Sequence, residues 1–160
     1  MIFEILDSCV WIHAFLDTDE KCVSVLKKVL KGELKPIVSA YIAKEVLDNV
    51  IDEGRKCGKN VDLLQTAIWS IFREPFTKTI FTPIDFDKIV LKEVRSRPEY
   101  KALAKALGIE SKDAPIVTLA YQYAVPLVTV DVKSLLNVRK KVHELIGVDI
   151  ISVEEFLESL

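Results

Sequence analysis

Short apolar runs alternate with amphipathic segments along this chain, and that alternation restricts the possible folds more than any other feature. Ile2 to Leu6, Pro36 to Val38, Thr79 to Thr82, Leu127 to Val130 and Val148 to Ile151 read as brief strands, apolar enough to be buried on both faces. Between them, apolar residues recur at helical spacing. Cys22, Val25, Leu26, Val29 and Leu30 predict a helix from Thr18 to Lys31, with Thr18 as N-cap and Gly32 as the stop. Ser39 caps a second helix carrying Ile42, Val46, Val50 and Ile51 and ending near Gly54, and Val61 to Phe72 follows a polar turn at Gly58, Lys59 and Asn60. Phe86 to Val94 predicts a helix that ends before Pro98, and Lys101 to Leu107 another. Asp113 ahead of Ala114 and Pro115 is a helix-start pattern, and Ser152 to Glu155 forms a capping box. Strands alternating with helices in this way imply right-handed crossovers, and hence a three-layer α/β/α fold with a central parallel sheet.

The 160 residues make one domain, spanning 1–160, large enough to bury a core without disulfide or metal staples. Half the residues are apolar and 29% are charged, the balance of a compact chain, not a disordered one. A net charge of −2 argues against a strongly basic nucleic-acid binder but leaves room for a local basic rim. Cys9, Cys22 and Cys57 are odd in number and lack a C-x-x-C pair, which points to reduced thiols and a cytoplasmic setting. Glu4 and Asp7 interrupt the opening segment where a secretory signal needs positive charge and an apolar core. The longest uncharged stretch, Ala114 to Val130, contains Pro115, Gln122 and Pro126 and divides into a helix and a strand, so no membrane span is expected.

Four acids fall where these elements meet. Asp7 follows the first strand, Glu45 lies early on the helix after the second, Asp113 opens a helix, and Asp131 ends the strand that carries Thr129. Taken singly, Asp7 is explained as a turn residue, Asp113 and Asp131 as N-caps, and Glu45 as a solvated helix residue. Taken together they demand more, because the carboxyl ends of parallel strands share one rim and residues there converge. Converging carboxylates repel unless a cation neutralises them, and hard ions such as Mg²⁺ or Mn²⁺ suit all-oxygen ligands.

The strings LDSCVWI around Asp7, SAYIAKEV around Glu45, KDAPIVTLA around Asp113, LVTVD around Asp131 and the tail VDIISVEEFL resemble, in order and rough spacing, the PIN-domain nucleases, and most of all their prokaryotic toxin-type VapC-like branch. The resemblance covers nearly the whole chain and is weakest between Gly54 and Arg97. It implies a PIN-like fold and a divalent-metal-dependent endoribonuclease that hydrolyses single-stranded or structured RNA. Asp7, Glu45, Asp113 and Asp131 would hold one or two Mg²⁺ or Mn²⁺ ions, with Ser8 and Thr129 as supporting hydroxyls. A toxin role implies a small antitoxin protein as partner, and homodimers are common in such families. One position departs from the pattern: Cys9 stands where an Asn commonly follows the Ser or Thr, and a thiol is the weaker hydrogen-bond donor. That departure keeps open a non-catalytic PIN module that binds RNA or a protein, and a stand-alone RNA-processing nuclease is the other alternative. A phosphotransfer domain of haloacid-dehalogenase type ranks lower, since it wants a second Asp at the position of Cys9.

An acidic site must still attract a polyanion. Lys112, Lys133, Arg139, Lys140 and Lys141, with Arg95, Arg97 and Lys101, are the candidate phosphate contacts, set against the plainer role of a solvated helix face. Trp11 and Trp69 could stack on bases, although aromatic residues beside apolar runs are more often core. His13 and His143 fit no catalytic pattern.

Overall fold

The computed structural model describes residues 2–160. The chain runs β1 (Ile2–Leu6), α1 (Ser8–Leu16), α2 (Glu20–Leu30), β2 (Leu34–Val38), α3 (Ala40–Lys56), α4 (Val61–Ile71), β3 (Lys78–Thr79), α5 (Pro83–Lys88), α6 (Leu91–Arg95), α7 (Pro98–Leu107), α8 (Ala114–Tyr123), β4 (Leu127–Thr129), a 3₁₀ turn (Leu136–Val138), α9 (Arg139–Ile146), β5 (Ile150–Ser152) and α10 (Val153–Glu158). All five strands are parallel, in the order β3-β2-β1-β4-β5. Register pairs Ile2 with Leu34, Ile5 with Leu127, Val38 with Thr79 and Thr129 with Ser152. The fold is the expected three-layer α/β/α arrangement.

Strand order decides where a ligand can enter. From β1 the chain moves outward to β2 and β3, then crosses back to lay β4 against the other side of β1. Right-handed crossovers therefore put the helices of the two halves on opposite faces. Consistent with this, α1 packs on α2 and α3, whereas α7 packs on α8 and α9; α10, which follows the edge strand β5, crosses over to pack on α2. The reversal between β1 and β4 opens a crevice beyond their carboxyl ends. Asp7 follows β1 directly, and Asp131 lies just beyond β4.

The core explains the strands' composition. Ile5, Leu6, Leu34, Val38, Leu127 and Val128 are buried by Val10, Trp11, Val25, Val46, Val117 and Phe156 from the helices. Trp11 is fully buried against Phe15 and Phe72, which removes it from any role in base stacking. Glu4 is the exception in this core: it is completely buried on β1, and neither carboxyl oxygen has a partner.

Several local expectations need correction. An unexpected helix, α1, joins Asp7 to Asp17; its CVWIHAFL stretch is apolar nearly all round, so it carries no polar stripe to betray it. Asp19, not Thr18, caps α2, accepting from the amides of Lys21 and Cys22 at 2.9 and 3.1 Å. Gly54 does not stop α3, which continues to Lys56; instead its missing side chain admits Leu64, since a Cβ there would sit 2.8 Å from Leu64 Cδ1. The strand expected at Thr79 to Thr82 is only Lys78–Thr79. The single helix expected at Phe86 to Val94 is two short ones, broken at Ile89 and Val90, whose backbones are extended. The strand expected through Val130 ends at Thr129. No helix of the described residues is long and apolar enough to cross a membrane.

Candidate functional site

The four acids come from four separate elements and line one cavity of about 520 Å³ at the β1/β4 crevice. Ser8, Cys9, Ile12, Asn49, Leu91, Arg95, Lys112 and Val130 complete its wall. Three of the acids, Asp7, Glu45 and Asp113, are buried, and Asp131 is half-buried.

Asp7 occupies the N-cap position of α1, yet its side chain makes no capping hydrogen bond. Its Oδ2 accepts from the Thr129 hydroxyl at 2.7 Å and from the Cys9 thiol at 3.2 Å. Burial raises its pKa, opposed by those two hydrogen bonds and reinforced by Glu45. The Cys9 thiol is itself pushed well up by burial and by Asp7, so it stays protonated and able to donate. Cys9 thus holds the carboxylate through a longer, weaker bond than the one from Thr129.

Thr129 ties two acids together. It is completely buried at the end of β4, donates to Asp7, and accepts the Asp131 backbone N–H at 3.0 Å. Asp131 Oδ1 accepts the Ser134 amide at 3.0 Å, which turns the chain at the crevice. Ser8, expected as a supporting hydroxyl, lines the cavity with its buried Oγ unpartnered.

Asp113 stands at the head of α8, but the expectation that it caps the helix through its side chain fails. Its own backbone is helical (φ −89°, ψ −19°), no side-chain cap bond forms, and Pro115 lies in the first turn. The carboxyl faces the cavity, where the Ser134 hydroxyl approaches Oδ2 at 3.5 Å. Burial first, then the Asp7 charge, push its pKa up to about 7, against the opposing pull of Lys112 and with a further push from Asp131.

Glu45 is handled differently. One Arg95 NH₂ donates to its Oε2 at 2.5 Å, and Arg95 Nε donates to the Tyr41 hydroxyl at 2.9 Å. Tyr41 has one proton to give, and the 2.6 Å approach to the Lys112 carbonyl takes it in preference to Glu45 Oε2 at 3.3 Å. Asn49, one turn beyond Glu45, donates to the Glu45 carbonyl at 2.7 Å. Sequence reasoning missed Tyr41, Asn49 and Ser134; only the i, i+4 spacing of Tyr41, Glu45 and Asn49 along one helix face could have suggested the first two.

The expected basic rim is only partly present. Lys112 and Arg95 line the cavity, so four acids face two cations there, a formal excess of 4 − 2 = 2 negative charges. Lys133 is exposed in the turn after Asp131 and does not line it. Arg139 pairs with Glu155 at 2.6 Å, and with Lys140 it lines a different concavity beside Pro126 and Ile150, at the opposite ends of the strands. Arg97, Lys101 and Lys141 are likewise absent from the wall. His13 bonds Thr18 and His143 bonds Asp149, both away from the cavity. Trp69 packs edge-on against Phe86 beside β3, in a separate aromatic concavity of about 640 Å³.

In donor chemistry and charge the cavity fits a hard divalent cation: its ligating groups are carboxylates and hydroxyls, two of the carboxyls are driven toward protonation, and cations are in deficit. As the side chains stand, no three of the described residues' acids, histidines or cysteines are gathered closely enough to grip an ion. Each of the four acids accepts from a protein donor instead: Glu45 from Arg95, Asp7 from Thr129 and Cys9, Asp131 from the Ser134 amide, and Asp113, at 3.5 Å, from the Ser134 hydroxyl. Compared with known proteins, the chain matches no family model and no curated sequence.

Proposed function

We propose that this protein is a divalent-metal-dependent endoribonuclease of PIN type, and the meeting of Asp7, Glu45, Asp113 and Asp131 around one cavity is the observation that carries the proposal. Asp7, Asp113 and Asp131 would hold the ion first, with Glu45 joining from α3. Bound Mg²⁺ or Mn²⁺ would activate water for attack on phosphorus and stabilise charge on the leaving oxygen. The chain's own residues orient that chemistry. Thr129 and Cys9 fix Asp7 Oδ2 and leave Oδ1 for the ligand. Thr129 also positions the backbone of Asp131, and Lys112 and Arg95 supply the positive charge that a phosphate needs in order to approach an acidic wall.

Cleavage of a labelled single-stranded RNA with Mg²⁺ or Mn²⁺, abolished by EDTA and by Asp7→Ala and Asp113→Ala, tests the proposal. Undiminished cutting by both variants would sink it. A non-catalytic module that binds RNA or a protein is the second reading, favoured by the Glu45–Arg95 pair and by the weak Cys9 bond. RNA binding without cleavage, and without any Mn²⁺ uptake, would establish it. The nuclease proposal extends to a cytoplasmic toxin with a small antitoxin and to homodimers. Growth arrest on expression, relieved by the product of an adjacent small gene, and light-scattering mass are the respective measurements; a stand-alone RNA-processing enzyme would leave growth intact.

A further inference from the structure

We infer that Arg95 is a tethered counter-ion that occupies Glu45 until a metal ion displaces it, so that the protein carries its own competitor for the fourth carboxylate. The inference rests on the metal site proposed above and adds to it a residue that regulates its assembly. Glu45 is buried, and a carboxylate there with three others nearby is tolerable only with a positive partner. Arg95 is that partner. Its guanidinium reaches across from the last residue of α6 to α3, donates to Glu45, and braces itself on Tyr41.

The anchoring is asymmetric. Glu45 is held more than a turn inside a seventeen-residue helix, whereas α6 has five residues and an extended break at Val90 ahead of it. Glu45 side-chain exposure is 11% against 33% for Arg95, so the arginine can leave toward solvent while the acid cannot. A divalent ion outcompetes a single positive charge at a wall of four carboxylates, and each displacement must obey reciprocity: what weakens the Arg95 pair strengthens metal binding, and the reverse. Displacement also has a route to Asp113, because Arg95 bonds Tyr41 and Tyr41 bonds the carbonyl of Lys112, the residue just before it. The freed guanidinium remains tethered at the cavity mouth, where it suits a phosphate oxygen.

Isothermal titration with Mn²⁺ tests this on the full chain, comparing wild type with Arg95→Gln, Arg95→Lys and Arg95→Gln/Glu45→Gln. Arg95→Gln is expected to bind Mn²⁺ more tightly by on the order of tenfold, the low end of ordinary coupling between competing ligands. Arg95→Lys, which keeps the charge, stays within about twofold of wild type, and adding Glu45→Gln cancels the gain. Equal or weaker binding by Arg95→Gln, in a protein whose Mn²⁺ uptake is abolished by Asp7→Asn, overturns the role of Arg95 and leaves the metal site standing. No uptake by wild type or Arg95→Gln overturns the metal site itself. Should Arg95→Gln fail to fold, the Arg95 Nε–H resonance of the wild-type protein decides: it shifts on saturation with Mg²⁺ if the pair opens, and an unmoved signal refutes the displacement.

Discussion

Glu4 offers the sharpest test of the physical picture, because its charge state is set by burial alone. Desolvation on the central strand raises its pKa from 4.5 to about 8, with no neighbouring charge contributing and no hydrogen bond to either oxygen. A carboxyl whose folded pKa lies above its unfolded value binds more protons in the folded state, so stability falls as pH rises. The contribution is complete below about pH 4.5, declines through the interval up to about 8, and is fully lost above it. Within that window the slope approaches about 1.4 kcal/mol per pH unit, which amounts to about 2.5 kcal/mol between roughly pH 5 and pH 7. Glu4→Gln keeps the shape and cannot ionise, so its unfolding free energy should lack this slope. Urea unfolding followed by circular dichroism, extrapolated to water at several pH values, measures both proteins. The buried carboxyls Asp7 and Asp113 bend both profiles alike and cancel in the difference. The Gln protein should therefore gain about 2.5 kcal/mol on wild type over that pH range. Parallel profiles would refute the reasoning and mean that Glu4 has a partner or access to water.

Three further perturbations bear on the cavity. Asp113→Asn removes a carboxyl held up near pH 7 by burial and by Asp7; thermal or urea melts above that pH should show a gain of about 2 kcal/mol while the proposed RNA cleavage is lost, and destabilisation would contradict the charge reading. Thr129→Val keeps the volume but strips a donor from Asp7 and an acceptor from the Asp131 amide, so it should cost about 1–3 kcal/mol in the same melts; an unchanged midpoint would mean that water replaces both bonds. Cys9→Asn places an amide donor beside Asp7 and, under the proposed activity, should raise the Mg²⁺-dependent cleavage rate above wild type, whereas a lower rate would indicate that the thiol already holds the carboxylate best.

The α/β class was legible because its signals are local. A strand buried on both faces must be largely apolar, as IFEIL is but for Glu4 and LVT but for Thr129, and an amphipathic helix must repeat at 3.6 residues, as in α2 and α3. The same logic fails where burial erases the pattern. Segment 8–16 is apolar almost all round and showed no period, and Gly54, which locally signals a stop, is used in packing instead. The break between α5 and α6 at Ile89 and Val90 comes just ahead of Leu91 and Arg95, which line the cavity, and no glycine or proline marks it in the sequence.

For the cavity, the positions of Asp7, Asp113 and Asp131 at element junctions were visible in the chain, since junction residues of a parallel sheet share an edge. Which junctions face one another was not. Sequence carries no strand order, and it is the reversal between β1 and β4 that sets Asp7 beside Asp131 with Thr129 between them. Nor does it carry charge pairing over long separations: Arg95 looked like a phosphate contact, and only the fold, bringing α6 across to α3, made it the partner of Glu45. Residue types determined what chemistry the chain could offer. Tertiary structure decided which groups meet, because electrostatic energy depends on distance in space and on burial, and neither is written in sequence separation.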